Sequence, residues 1–423
     1  MEQVLFGGFY HKLYNAATAY NTLVGGDNWF GSDTLVYKPV STDGVIKYLR
    51  VKLSGAPGVG KKYTFALMLN GNPTALTLEI ADGATTGSNM VNEIIVTAGD
   101  TVSLRCIPNG TPTQVYATWT SVFEGDNPNE SLILGGGAQT LSSAGIRYCQ
   151  VMCAYAVYTA VENDHREVMP TAGTIKDLYV QLDADPGNAP DAYRFTLRLN
   201  GATVAQSLIV TITADDTTGS DLVHNLAVVA GDVLTMMIEP LNGPAVEPRA
   251  HWGMTFVADI DGESVVLSGI SNDLDDTLTE YNNVTGVRIN WWTAIEGGRY
   301  QLGQICVLKK LHVLLSAPPG AGNDRDFAIR IAGTNVITLQ ISDAATTGDS
   351  GALEDTVVND DYLTIRTIPT DTPDVADAYW GFVCCAPYFW TDKISGVIGV
   401  AKINGIAEAA IRKINNIYVA EPV

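Results

Sequence analysis

The residues best placed to do chemistry are those of "GAPGVGKK" at 55–62. Gly55, Gly60 and Lys61 match the phosphate-binding pattern G-x-x-x-x-G-K-[ST], in which backbone N–H groups and a lysine hold a nucleotide's phosphates. Lys62 stands where that pattern needs a metal-binding hydroxyl. The histidines, His11, His165, His224, His251 and His312, are scattered, with no H-x-x-x-H or H-x-H pair to seed a metal site. Carboxylates cluster in "TADDTTGSD" (213–221) and "SNDLDDT" (271–277), but without the ligand spacing or central glycine of a calcium loop. Turn-capping is their expected job. Cys106, Cys149, Cys153, Cys306, Cys384 and Cys385 fit neither a zinc knuckle nor a disulfide framework, and read as buried free thiols. No G-x-S-x-G elbow and no carboxylate pair for glycoside hydrolysis is identifiable. No catalytic residue, metal or cofactor is assigned.

The elements around these residues decide between the readings. The chain repeats itself three times. "TLEIADGATTGS" (77–88), "IVTITADDTTGS" (209–220) and "LQISDAATTGDS" (339–350) each lead to a glycine- or aspartate-rich turn, a strand-like run and a tryptophan: Trp119, Trp252 and Trp380. "IKYLRVKLS", "IKDLYVQLD" and "LKKLHVLLS" precede them. Leaders "VLFGGFY", "LILGGGA" and "VVLSGIS" stand some forty residues earlier, so one unit is about 130 residues long. The expected divisions are 1–127, 128–260 and 261–391, followed by a tail at 392–423.

Inside a unit the period is two. Val45, Lys47, Leu49, Val51 and Leu53 alternate with Ile46, Tyr48, Arg50 and Lys52. Tyr63, Phe65, Leu67 and Leu69 share a face and run into Asn70-Gly71, a hairpin signal that Asn200-Gly201 repeats. The fold class is therefore all-β: three tandem antiparallel β-sandwich or jelly-roll-like domains plus a short C-terminal assembly segment. In this frame "GAPGVGKK" feeds a strand, not a helix N-terminus, and the other two copies keep Pro-Gly but lack the lysine. It reads as a loop between strands. Thr-Thr-Gly reads first as a tight turn, and the three repeated tryptophans as core. Trp291, Trp292, Phe389 and Trp390, in "NWWTA" and "APYFWTD", fit no repeat and are candidates for an exposed patch, an interface or a glycan contact.

The net charge of −21 argues against a sequence-independent grip on nucleic acid, and no apolar stretch approaches the ~20 residues that span a bilayer. The sequence as written has no secretory signal, although numbering that begins after cleavage would hide one. Sequons at Asn109, Asn129 and Asn283 matter only if the protein is secreted. The tail contains an echo, "VAKINGI" (400–406) against "IRKINNI" (411–417). Ile403, Ile406, Ala410, Ile414 and Ile417 are spaced for a helical face, whereas Asn404-Gly405 argues for a turn between short strands. Both readings stand on the sequence, and both make Ile403, Ile406, Ile411, Ile414 and Ile417 the candidate assembly residues.

The ending "AKINGI…IRKINNI", with the repeat block from "GAPG" through "TTGS" and "AGDTVSLR" to the tryptophan, resembles structural proteins of tailed bacteriophages and virus-like genomes. The resemblance covers nearly the whole chain and implies a non-enzymatic virion fibre, spike or appendage protein, or an extracellular filament. Its expected partners are copies of itself and other particle proteins. A glycan- or receptor-binding module at a particle surface is the alternative. Copy three departs from the pattern, with "VVNDD" for "VVAGD" and "IAGTN" for "LNG".

Overall fold

The computed structural model describes residues 1–8, 11–26, 28–152, 157–285, 291–293 and 295–385, and in the tail 393–394, 397–398, 402–403, 406–407, 413–414 and 417–418. The first unit is built from β1 (Glu2–Gly8), β2 (Ala19–Asn21), β3 (Lys38–Pro39), β4 (Gly44–Leu53), β5 (Gly58–Leu69), β6 (Asn72–Asp82), β7 (Thr86–Val96), β8 (Thr101–Asn109) and β9 (Ala117–Gly125). They form two antiparallel sheets, ordered β1-β9-β4-β7 and β2-β8-β5-β6, with β3 on β8. That order is a jelly roll.

The same order recurs twice. Glu130–Thr140, Arg249–Ala258, Gly173–Leu182 and Thr218–Val228 form one sheet of the second unit; Arg147–Cys149, Val233–Leu241, Ala192–Leu199 and Ile209–Thr213 form the other. In the third unit the sheets run Ser264–Ile270, Ala378–Cys385, Cys306–Leu315, Thr347–Asp349 and Glu280–Asn282, Tyr362–Thr370, Gly320–Ile331, Thr334–Asp343. Helical structure among the described residues is limited to 3-10 turns at Asp33–Leu35, Glu162–His165 and Glu296–Arg299.

Local chemistry explains these elements. Leu69 pairs with Asn72 across Asn70-Gly71, whose φ values of 50° and 73° define a type I′ hairpin. Asn200-Gly201 repeats it at 51° and 74°. In the third unit Ala332-Gly333 takes the same path at 47° and 81°, placing an alanine where asparagine stood. "GAPGVGKK" runs into β5: the Gly60 amide donates to Asp82 (2.6 Å) and Lys62 pairs with Glu79 (2.7 Å). Gly322 and Asp343 repeat the first bond at 2.7 Å, so the conserved turn bonds to its own sheet.

Two sequence expectations need correction. The strict alternation over 45–53 is broken by a bulge, with Tyr48 at φ 58° and a register shift between Lys47 and Leu49. Ile46 therefore joins Leu49, Val51 and Leu53 in the core while Val45 turns outward. The Thr-Thr-Gly glycine is not in the turn but in β7, as the chain crosses between sheets. A Cβ at Gly87 would lie 2.9 Å from Ile80, and at Gly219 2.7 Å from Val210.

The leader glycines make room for the tryptophans. A Cβ at Gly7 would fall 2.1 Å from the Trp119 indole nitrogen, and at Gly135 2.2 Å from that of Trp252. Each buried indole donates to a backbone carbonyl: Trp119 to Leu23 (3.1 Å), Trp252 to Val151 (2.9 Å) and Trp380 to Val284 (2.8 Å). The tryptophans are core residues.

The units pack on one another in a cycle. β3 of the first unit lies on the Glu130–Thr140, Arg249–Ala258 and Gly173–Leu182 strands of the second. Glu167–Val168 of the second lies on the corresponding strands of the third, and Gln301–Leu302 of the third lies on β1 and β9 of the first. The contact is head-to-tail and closes after three steps, giving a ring with pseudo-threefold symmetry.

Among the described residues the tail holds three two-residue strand pairs, Lys393–Ile394 with Val397–Ile398, Lys402–Ile403 with Ile406–Ala407, and Lys413–Ile414 with Ile417–Tyr418. The strand reading therefore replaces the helical one. "KISGVI" is a third copy of the echo that "KINGIA" and "KINNIY" carry. Ile411 lies outside the described residues.

Two substitutions test this architecture. Gly253→Ala places a Cβ 2.0 Å from the Pro39 carbonyl oxygen of the neighbouring unit, and thermal unfolding is expected to show a loss of about 1–3 kcal/mol from overpacking. Ala332→Asn relieves a left-handed alanine and is expected to raise stability by about 1 kcal/mol in the same assay.

Candidate functional site

The surfaces that differ most between copies are the three seams of the ring. Each is built by the short strand of one unit and the tryptophan strand of the next. The residue before the tryptophan, Thr118, His251 or Tyr379, points away from its own core because strand neighbours alternate.

At the first–second seam, the His251 Nε2 donates to the Thr34 carbonyl (3.1 Å) with the Tyr37 ring 4.6 Å away. Burial, with the Lys38 ammonium next, holds this imidazole well below its ordinary range and keeps it neutral. Lys38 is buried and donates to the Gly136 carbonyl. Gln3 bonds both backbone groups of Leu132, at 2.9 and 2.7 Å. Glu130, buried beside them, takes bonds from Lys176 (2.8 Å) and from the Thr42 hydroxyl of the other unit. Burial raises its pKa, but those bonds outweigh it and hold the carboxyl below its ordinary value.

The second–third seam follows the same plan. Glu263 accepts from Thr171 (2.6 Å) and pairs with Lys309 (2.9 Å) and Lys310 (2.7 Å). The Tyr379 hydroxyl donates to the Asn163 carbonyl at 2.8 Å, beneath Arg166. Val168, Leu314 and Tyr379 form a small apolar cluster across the seam.

The third–first seam is different. The neighbour-facing positions held by His251 and Tyr379 belong here to Thr118, and those of Gln181 and Leu314 to Lys52. Gly253 and Gly381 admit a neighbour's carbonyl to within 2.0 and 2.1 Å of a Cβ; the matching residue here is Thr120. A cleft of about 190 Å³ opens between Lys52, Ser54, Tyr116 and Thr118 of the first unit and Tyr300 and Tyr362 of the third. Tyr300 and Tyr362 are stacked at 4.5 Å, and the Lys52 ammonium lies 3.9 Å from the Tyr362 ring centre. Elsewhere in this seam Arg50 pairs with Asp360 at 2.7 Å, so the "VVNDD" departure of copy three supplies a seam contact.

The residues singled out from sequence are distributed unevenly. Trp291 is not on a surface: it is buried 5.5 Å from Trp380, as Trp29 is 5.6 Å from Trp119. A recurring core pair, which the sequence repeat hid, explains it. Trp292 is 45% exposed under the Arg299 guanidinium. Phe389 and Trp390 lie outside the described residues, as does Cys153. Cys106, Cys306 and Cys384 are buried free thiols and Cys149 is buried; Cys385 is less buried, with its thiol pushed up to about 12 by desolvation. Asp221 accepts from the amides of Ile209, Val223 and His224, and Asp275 from those of Thr277 and Leu278, so both cap turns. Asn283 is fully buried, which removes that sequon from the surface.

The seam residues escaped the sequence reading, although a signal was present. "ATWTSVF" and "AYWGFVCC" are buried at nearly every position and do not alternate like β6. A strand apolar on both sides is a strand covered on both sides. No protein-family model matches the chain, and no curated protein does either. No helix among the described residues is long and apolar enough to cross a membrane.

The strongest carboxyl perturbation belongs to structure. Arg325 occupies the position of Tyr63 and Tyr193; all three donate to a loop carbonyl, Arg325 to that of Asp374 at 3.1 Å. Glu280 lies close by and its carboxyl is raised to about 7, by burial first and by the Asp275 charge, against a bond from the Asp275 amide. The folded protein thus holds a proton that the unfolded chain releases above its ordinary 4.5. This contribution to stability is full below about 4.5 and is lost as pH rises through about 7. Across that window the melting temperature of the wild type is expected to fall relative to Glu280→Gln. Parallel curves would refute the assignment.

Proposed function

We propose that the chain is a non-enzymatic structural protein that self-assembles into, or decorates, a virion fibre, spike or appendage or an extracellular filament. The observation that carries this reading is the closed ring of three jelly rolls in one chain. A head-to-tail surface that closes on itself gives a finished block, not an open polymer. Growth must then use something outside the ring, and the repeated strand pairs of the tail are the candidates. Short β elements gain partners by strand addition, and Ile403, Ile406, Ile414 and Ile417 all lie in such pairs. The proposed partners are copies of this chain and other particle proteins. A net charge of −21 supports the same reading, because mutual repulsion keeps finished blocks from clumping through their ring surfaces.

Full-length protein and a version ending at Asp392 decide the matter by electron microscopy and size-exclusion chromatography. The expected outcome is rods, rings or filaments for the full chain and isolated three-lobed particles for the truncation. Isolated particles from both would overturn assembly through the tail.

A further inference from the structure

Two seams of the ring are filled by a large side chain, and the third carries a cleft lined by chemistry of a particular kind. We propose that this cleft binds an acidic sugar, a single pyranose bearing a carboxylate, between the third and first units. The inference stands whether or not the tail assembles the protein.

Size sets the first limit. About 190 Å³ equals roughly six water volumes of ~30 Å³ and falls below the ~300 Å³ at which drug-sized sites begin, so one sugar ring fits and a chain of them does not. The lining sets the second. Tyr116, Tyr300 and Tyr362 offer flat apolar faces with hydroxyl tips, the surface that suits a pyranose with its apolar and hydroxylated sides. Ser54 adds a hydroxyl, and the buried Thr118 side chain completes the lining on the first unit's side.

Charge sets the third limit. In a chain of net charge −21 the described residues that line the cleft include no carboxylate, and Lys52 is the one cation among them. Its ammonium rests on Tyr362, which Tyr300 backs, and it forms no ion pair among the described residues. A cation held on an aromatic ring keeps its charge available for an anion. The ligand's carboxylate is therefore assigned to Lys52, its ring to Tyr116, and its hydroxyls to Ser54 and the tips of Tyr300 and Tyr362.

Glucuronate, N-acetylneuraminate, glucose and inorganic phosphate, each titrated into the full-length protein and followed by calorimetry, test this. Saturable binding of at least one of the two acids is expected, with glucose and phosphate at least about tenfold weaker. Lys52→Gln should bring the acid down to the level of glucose. Thr118→His, which installs the side chain of the first–second seam, should abolish binding without lowering the melting temperature. If Thr118→His fails to fold, Lys52→Gln decides alone. No saturable binding of either acid, phosphate binding as tightly as the sugars, or an unchanged affinity in the variants would overturn the proposal.

Discussion

Burial on both faces of the leader and tryptophan strands is the constraint from which the rest of this structure follows. In a free-standing jelly roll one face of each sheet packs on its partner and the other meets water. Here Glu2–Gly8, Ala117–Gly125 and their counterparts are covered twice, once by the tryptophan core and once by the neighbouring units. Val4, Phe6 and Val122, on the side away from Trp119, belong to the apolar cluster of the third unit. Side chains of that size contribute about 1.5–3 kcal/mol each when fully buried. A single unit released from the ring would expose this second face, so the three units are bound to stand together.

The polar side of the seams adds specificity to that apolar drive. Glu130 and Glu263 are buried carboxylates that receive lysines from their own unit and a threonine from the neighbour. Removing one partner from such a cluster leaves a buried charge unpaired, which costs more than the pair contributes. Glu2 is paired with Lys47 at 2.7 Å, and the segment that supplies the threonine in the other copies is one residue shorter in the third unit. The third–first seam relies instead on Arg50 with Asp360 and on the tyrosine stack. Covalent linkage lets one seam be looser than the others, because the tethered units meet at high effective concentration.

The departures of copy three thus have separate causes. Asp360 adopts φ 72°, where Gly99 and Gly231 have 94° and 89°, and in return meets Arg50. Arg325 replaces a tyrosine, and the raised Glu280 carboxyl lies near it. These changes touch the seam and one loop, while the strand order is untouched.

Strand existence, the hairpins at Asn70-Gly71 and Asn200-Gly201, the core role of Trp119, Trp252 and Trp380, and the loop at 55–57 that opens "GAPGVGKK" were legible in the residues alone, although Gly58 to Lys62 already belong to β5. Each rests on local chemistry: a side-chain period of two, the left-handed tolerance of asparagine and glycine, and repetition that exposes a chance match. The bulge at Tyr48, the burial of Trp291 and the choice of strands in the tail were not legible, since each depends on how an element meets another. The candidate site was the least visible part. Thr118 and Lys52 are ordinary residues in their own strand, and only the third unit's arrival beside them, with Tyr300 and Tyr362, makes a cleft. The sequence by itself determined the jelly-roll units, because period and turns are written residue by residue. The tertiary structure alone decided the ring and its one open seam, because contacts between residues as distant in sequence as Arg50 and Asp360 leave no periodic trace.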